Sequence, residues 1–127
     1  MSIGAGRPQN STTPVWRSKP AAKVRAYRFL MDKKGTKADC AKETGLSRTT
    51  VIKWWDQTEW TPENSQTHND IQNWLGLTTH YINVSPKRCA EETGIPIEIV
   101  EFEFATLDEI FRLGEEWNRR NGEKELL

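Results

Sequence analysis

The feature that most constrains the fold is an internal repeat, seen when the sequence is shifted by 49 residues. The segment Cys40–Leu46 (CAKETGL) then matches Cys89–Ile95 (CAEETGI), including the Thr-Gly pair and the apolar residue that follows it in each. Chance does not readily preserve a turn together with the apolar positions around it, so we expect two tandem copies of one structural unit. At the same shift Val51 matches Val100 and Trp55 matches Phe104. Upstream, where a two-residue insertion makes the shift 47, the matched apolar positions are Val24 with Ile71, Tyr27 with Trp74, and Leu30 with Leu77.

The first copy has the start and stop signals of three short helices. Ser and Thr favour helix N-caps, Pro suits a first helical turn, and Gly favours the residue after a helix ends. The predicted second helix is 37–44, and the third runs through 48–55. The predicted helix boundaries, in chain order, are a start near Pro20, a stop at Gly35, a cap at Thr36, a turn at Gly45 and a cap at Ser47.

The stretch Ala41–Val51 (AKETGLSRTTV) resembles the helix-turn-helix of bacterial, phage and plasmid DNA-binding proteins. Its turn glycine and small Ala41 allow two helices to approach closely. Leu46, Val51 and Trp55 are expected to point inward, with Trp54 at the surface. Helical geometry then turns Arg48, Thr49, Ile52 and Lys53 outward. The resemblance implies that this third helix reads the major groove of double-stranded DNA.

Charge supports the same interpretation, because the net charge of zero hides a strong asymmetry. Residues 1–55 hold twelve basic and three acidic residues, and residues 56–127 hold six basic and fifteen acidic residues. Such segregation indicates nucleic-acid contact by the basic part, although pairing of the two halves with each other would also explain it. The predicted DNA-contacting residues are Lys19, Lys23, Arg25, Arg28, Lys37, Ser47, Arg48, Thr49, Thr50 and Lys53, with Arg7 of the N-terminal arm in the minor groove.

The second copy keeps the inward positions and changes the outward ones. Glu98, Glu101 and Glu103 replace the polar or basic face of the first copy and would repel phosphates. We therefore expect this degenerate unit not to bind DNA. Exposed Ile97 and Phe102 instead predict either a protein contact through residues 85–120, with a homodimer or another partner, or packing against the final helix.

The sequence leaves the structure of residues 97–104 open. The repeat favours a helix, whereas the β-branched and aromatic residues of IEIVEFEF favour a strand that would pair with 81–84. A capping box at Thr106–Glu109 predicts a separate amphipathic helix reaching Arg120 and ending at Asn121-Gly122. The overall expectation is a mainly α fold: two trihelical units and this C-terminal helix.

The predicted organisation is a flexible arm (1–18), a basic unit (19–58) and an acidic unit (59–127). No membrane span, zinc spacing, cofactor motif or nucleophile motif is recognised, so we expect a cytoplasmic protein that is not an enzyme. His68 and His80 are expected in polar connecting segments. Cys40 and Cys89 are expected to be free thiols.

Two functional hypotheses follow. The first is a sequence-specific DNA-binding protein of a phage, plasmid or other mobile element, acting in transcription, replication or maintenance, with packaging or recombination as related settings. The second is an interaction adaptor or inhibitor whose acidic half binds a basic partner, with the helix-turn-helix used for autoregulation.

Overall fold

A computed structural model describes residues 14–32, 34–78 and 83–126, with side chains as far as Gly122. Within these residues the fold is helical and contains no strand, which confirms the mainly α prediction. Short 3₁₀ turns at Val15–Arg17 and Asp56–Thr58 flank the first three helices. The helices are α1 Lys19–Leu30, α2 Lys37–Thr44, α3 Arg48–Trp55, α4 Pro62–Thr78, α5 Pro86–Thr93 and α6 Ile97–Leu126.

The first three helices begin at side-chain caps. The hydroxyl oxygens of Ser18, Thr36 and Ser47 accept hydrogen bonds from amides three residues ahead in α1, α2 and α3. Each cap satisfies one of the amides that a helix start leaves unpaired. The predicted stop of the first helix at Gly35 is wrong, because α1 ends at Leu30 and the chain turns at Asp32, whose φ is 50°.

α1, α2 and α3 pack around a shared apolar core that includes Val24, Cys40, Val51 and Trp54. The predicted surface position of Trp54 is wrong, because Trp54 is buried, whereas Trp55 is half-buried and packs against the same core. Val51 and Trp54 stand three residues apart, so they occupy the same side of a helix. Trp55 stands four residues after Val51, a spacing that also fits this side of the helix. The sequence pattern alone therefore does not distinguish Trp54 from Trp55 as the inward residue.

The second copy repeats the turn geometry of the first. Gly45 and Gly94 both have φ of 77°, and Thr44 and Thr93 each donate a 2.6 Å hydrogen bond to the carbonyl four residues back. A second core cluster forms around Ile71, Trp74, Cys89 and Val100. The predicted inward position of Leu77 is wrong, because its side chain is 75% exposed.

Residues 97–104 are helical, so the strand alternative is wrong for this segment. The buried residues Val100, Glu103 and Thr106 lie three apart, which is a helical spacing. The near alternation of apolar and acidic residues in this segment hides that spacing in the sequence. The separate helix starting at Thr106 is also wrong. Thr106 lies within α6, where its hydroxyl donates to the carbonyl of Phe102 at 2.8 Å. The helix continues beyond Asn121-Gly122 to Leu126.

α6 joins the two predicted units, because it packs along α1 as well as against α5. Its half-buried Phe102 and Leu113 cover the core formed by the first three helices. The basic and acidic segments therefore share an interface. Of 81–84, Tyr81 and Ile82 lie outside the described residues, and 83–84 have no regular structure. None of the helices described is long and apolar enough to cross a membrane.

Candidate nucleic-acid interface

The outward face of α3 is exposed, as the sequence predicts. Burial of Val51 and Trp54 fixes the orientation of this eight-residue helix. Arg48, Thr49 and Lys53 then lie on its accessible side with Ile52, which is 55% exposed. Within the described part of the chain, the acidic segment does not cover this face and Arg48 forms no ion pair.

Ser47 and Thr50 hold the first turn of α3. The Ser47 Oγ accepts a hydrogen bond from the Thr50 amide at 3.2 Å and lies 2.9 Å from the Thr50 hydroxyl. Ser47 is exposed and Thr50 is half-buried. Both hydroxyls are therefore engaged in capping, so these predicted contact residues position the helix start.

Exposed lysines surround the first helices. Lys19 stands at the first residue of α1, and Lys37 at the first residue of α2. Lys34 and Lys42 are also exposed, and the sequence does not predict them as DNA contacts. Exposed Asp39 lies in the first turn of α2 and offsets part of this charge. The predicted arm residue Arg7 lies outside the described residues.

Arg25 does not belong to the surface, which corrects its predicted role as a phosphate contact. Its guanidinium is buried and forms a 2.5 Å salt bridge with Glu103 and a 3.2 Å hydrogen bond to the Thr106 hydroxyl. It also lies 4.1 Å from the centroid of the Trp60 ring. Arg25 is on the side of α1 that packs against α6, where a planar cation can pair with a carboxylate and stack on aromatic rings.

Lys23 and Arg28 are also partly used within the fold. The Lys23 ammonium lies 3.1 Å from a carboxylate oxygen of Glu109, so its predicted role on DNA is not supported by its position. The Arg28 guanidinium stacks over the Trp55 ring at 4.3 Å and donates a hydrogen bond to the Trp55 carbonyl. Arg28 therefore fixes the C-terminal end of α3 against α1.

Glu103 is the centre of a buried charged cluster that the sequence interpretation missed. Its second carboxylate oxygen lies 2.8 Å from the Nδ1 of His68. Glu103 was expected to be exposed, and His68 was expected in a solvated connection, but Glu103 and His68 are almost fully buried, and His68 lies within α4. The repeat contained the signal, because Glu103 aligns with Trp54, itself an inward position. His80 lies outside the described residues.

Burial shifts several pKa values away from the usual range. Desolvation lowers the pKa of Arg25, and the Coulombic and hydrogen-bonding contacts with Glu103 oppose the shift. Desolvation raises the pKa of the Cys40 thiol to about 11 and also raises that of Cys89. Both cysteines are free and buried, as predicted for free thiols, and such thiols are poor nucleophiles near neutral pH.

The predicted protein-contact surface of the second copy needs correction. Phe102 packs on the first core and Ile97 is half-buried, so neither presents a fully exposed apolar side chain. Glu98 and Glu101 do remain exposed. Among the described side chains of α6, the exposed large apolar ones are Ile99, Phe111 and Trp117.

No cluster of three or more potential metal-ligating side chains occurs within the described segments. Comparison with known proteins gives no match: no family model, curated protein or solved structure is significantly similar to this chain.

Proposed function

We propose that the protein binds duplex DNA, with α3 entering the major groove. The observation that carries the proposal is the two-sidedness of α3: Val51 and Trp54 are buried, and Arg48 and Lys53 face solvent. A major groove about 12 Å wide admits one α-helix, whose exposed side chains then reach the base edges. Arg can bind guanine with two hydrogen bonds, and Lys can contact guanine or a phosphate.

The phosphate contacts would come from a smaller group than the sequence suggests. Lys19 and Lys37 are exposed near helix starts, whereas Lys23 and Arg25 are committed to α6. With Arg48 and Lys53, these lysines give about four cations for the DNA backbone and bases. Contacts to phosphates fix the orientation of a protein on DNA, while contacts to base edges supply specificity.

The acidic half does not oppose this mode of binding as strongly as its formal charge suggests. Glu103 pairs with Arg25, Glu109 pairs with Lys23, and Arg120 of α6 lies 2.7 Å from Glu43 of α2. The first two contacts neutralise acidic groups of the C-terminal half, and the third neutralises an acidic group of the basic half. The separation of basic and acidic residues along the sequence therefore has two explanations. Some of the charges pair within the fold, and others leave α3 with an exposed cationic face.

The proposed biological role is transcriptional control, replication or maintenance on a phage, plasmid or other mobile element, in keeping with the helix-turn-helix resemblance. Specific reading would come from Arg48, Thr49 and Lys53, with Ser47 and Thr50 holding the start of α3. The acidic-adaptor hypothesis differs in placing the main activity in the acidic half, which would bind a basic partner, while α3 would contact DNA only for autoregulation.

Charge reversal on α3 tests the proposal. The double variant Arg48→Glu with Lys53→Glu should weaken binding to a fluorescent mixed-sequence duplex by at least about 100-fold, because it replaces two attractions with two repulsions. The matched control is Lys87→Glu with Arg112→Glu, which makes the same net charge change at exposed residues of α5 and α6.

Fluorescence polarisation at low salt measures both variants after circular dichroism has shown that each is folded. The control should change affinity only slightly. If both double variants weakened DNA binding equally, the effect would come from net charge and not from α3. Unchanged binding by the α3 variant would contradict the proposal.

A further inference from the structure

A groove of about 350 Å³ lies where the Val15–Arg17 turn meets the first turns of α4 and α6. Its apolar lining comes from Val15, Trp16, Ile99 and Phe102. Ile99 is 44% exposed, and the other three side chains are half-buried. The groove therefore presents accessible apolar surface at the start of α6.

Carboxylates line the same groove. Glu63 of α4 and Glu98 of α6 are exposed, and neither forms an ion pair within the described residues. The other charged lining residues, Arg25 and Glu103, pair with each other. We call the surface formed by Glu63, Glu98 and the four apolar residues the acidic groove.

Two charges beside the acidic groove offset each other. The Arg17 guanidinium stacks over the Trp16 ring, 4.6 Å from its centroid. The exposed Glu101 stands three residues after Glu98, a spacing that makes the two neighbours on the helix surface. Glu63 and Glu98 therefore set the charge of the groove, which favours a cationic occupant.

The exposed face of α3 has the complementary character. Ile52 is 55% exposed, Arg48 stands four residues before it, and Lys53 is the next residue. Residues four apart are neighbours on a helix surface, so Arg48 lies beside Ile52. An exposed apolar side chain with cations beside it matches an apolar groove that also carries carboxylates, and helices commonly dock on proteins through anchors of this kind.

We propose that the acidic groove receives the α3 face of a second copy of this chain. In this contact Ile52 lies among the apolar lining residues, and the two cations of α3 pair with Glu63 and Glu98. The contact joins two different patches, so it builds either a reciprocal pair of chains or a head-to-tail series. The contact itself does not depend on DNA binding. One consequence does rest on the proposed function: self-association and DNA binding exclude each other, because both use α3.

Charge reversal in the groove tests the contact in the absence of DNA. Sedimentation velocity of the full chain at about 0.01 M salt should show concentration-dependent association, which weakens at about 0.1 M salt as the screening length falls from about 30 Å to about 10 Å. Glu63→Lys with Glu98→Lys should weaken association at low salt by at least about tenfold. The control Glu91→Lys with Glu115→Lys makes the same charge change at exposed residues outside the groove and should preserve association.

Reversal on α3 tests the other side of the contact. Arg48→Glu with Lys53→Glu should weaken association by a similar factor, whereas the charge-matched control Lys87→Glu with Arg112→Glu should preserve it.

A mixture of the two interface variants distinguishes this contact from general charge effects. The groove variant retains a cationic α3 and the α3 variant retains an acidic groove, so the two should form a complex although neither associates alone. The proposal is overturned by a full chain that stays monomeric at low salt, by a control that loses association as strongly as its matched pair, or by a mixture that forms no complex.

Discussion

At the scale of single residues, the most consequential contact joins Glu103 to Arg25 and His68. A carboxylate with this degree of burial needs compensation, and the 2.5 Å contact with the guanidinium supplies it. The Trp60 indole adds further order by donating a 2.9 Å hydrogen bond to the Arg25 carbonyl. The cluster therefore fixes how α1, α4 and α6 meet, while the balance of desolvation and attraction leaves its net stabilisation small.

Removing one partner from this cluster should be costly. Glu103→Gln leaves the buried Arg25 guanidinium without its counter-charge, and we expect the free energy of unfolding to fall by about 3–5 kcal/mol. Urea denaturation followed by circular dichroism measures the change. The control Glu101→Gln alters an exposed neighbour on α6 and should remain within about 0.5 kcal/mol of the parent. Equal stability of the two variants would show that the buried pair is unimportant.

Residue-level prediction from sequence succeeded where the pattern was unambiguous and failed where neighbouring positions competed. Val24, Cys40 and Val51 are buried as expected. Trp54 and Trp55 are both compatible with the inward face, and only the packed helices distinguish them. Arg25 was assigned to the surface because it is charged, and its burial depends on Glu103, which is 78 residues away in the chain.

At the scale of elements, the two glycine turns are the best-predicted features. Each combines a Thr that bonds back into the helix, a glycine in the left-handed region and an apolar residue after the turn. These are local interactions, so a short segment suffices to specify them. The long α6 was predicted poorly, because its β-branched and aromatic start favours a strand locally and its helix is stabilised by packing on α1 and α5.

Alanine at the turn glycines tests the equivalence of the two copies. A side chain at φ of 77° is strained, so Gly45→Ala and Gly94→Ala should each lower the free energy of unfolding by about 1–2 kcal/mol. Gly76→Ala, within α4 and with open space where the alanine Cβ would lie, should instead raise it by roughly 0.5–1 kcal/mol. Thermal denaturation of the three variants gives the comparison. Opposite effects at Gly45 and Gly94 would contradict the structural equivalence.

At the scale of the whole molecule, the basic and acidic segments are joined more closely than their charges suggest. Lys23 and Arg25 of α1 pair with Glu109 and Glu103 of α6. The predicted boundary at residue 58 follows the charge and the repeat, but the packing of α6 on α1 crosses it. Sequence periodicity could not reveal this crossing, because a long-range contact leaves no local signal.

The shared interface predicts that the basic unit depends on the rest of the chain. A fragment of residues 14–58 lacks Phe102 and Leu113, which cover its apolar core, and it lacks Glu103, which pairs with Arg25. We expect it to show weak helicity and no cooperative thermal transition in circular dichroism, in contrast to the full chain. A cooperative transition near that of the full chain would establish the fragment as an independent domain.

The most direct test of the DNA-binding account is the salt dependence of affinity for a mixed-sequence duplex. The proposed contacts with phosphates and bases use about four cations, so a plot of log Kobs against log salt concentration should fall with a slope of about −3 to −4. A slope near zero, or no measurable binding at low salt, would contradict the account.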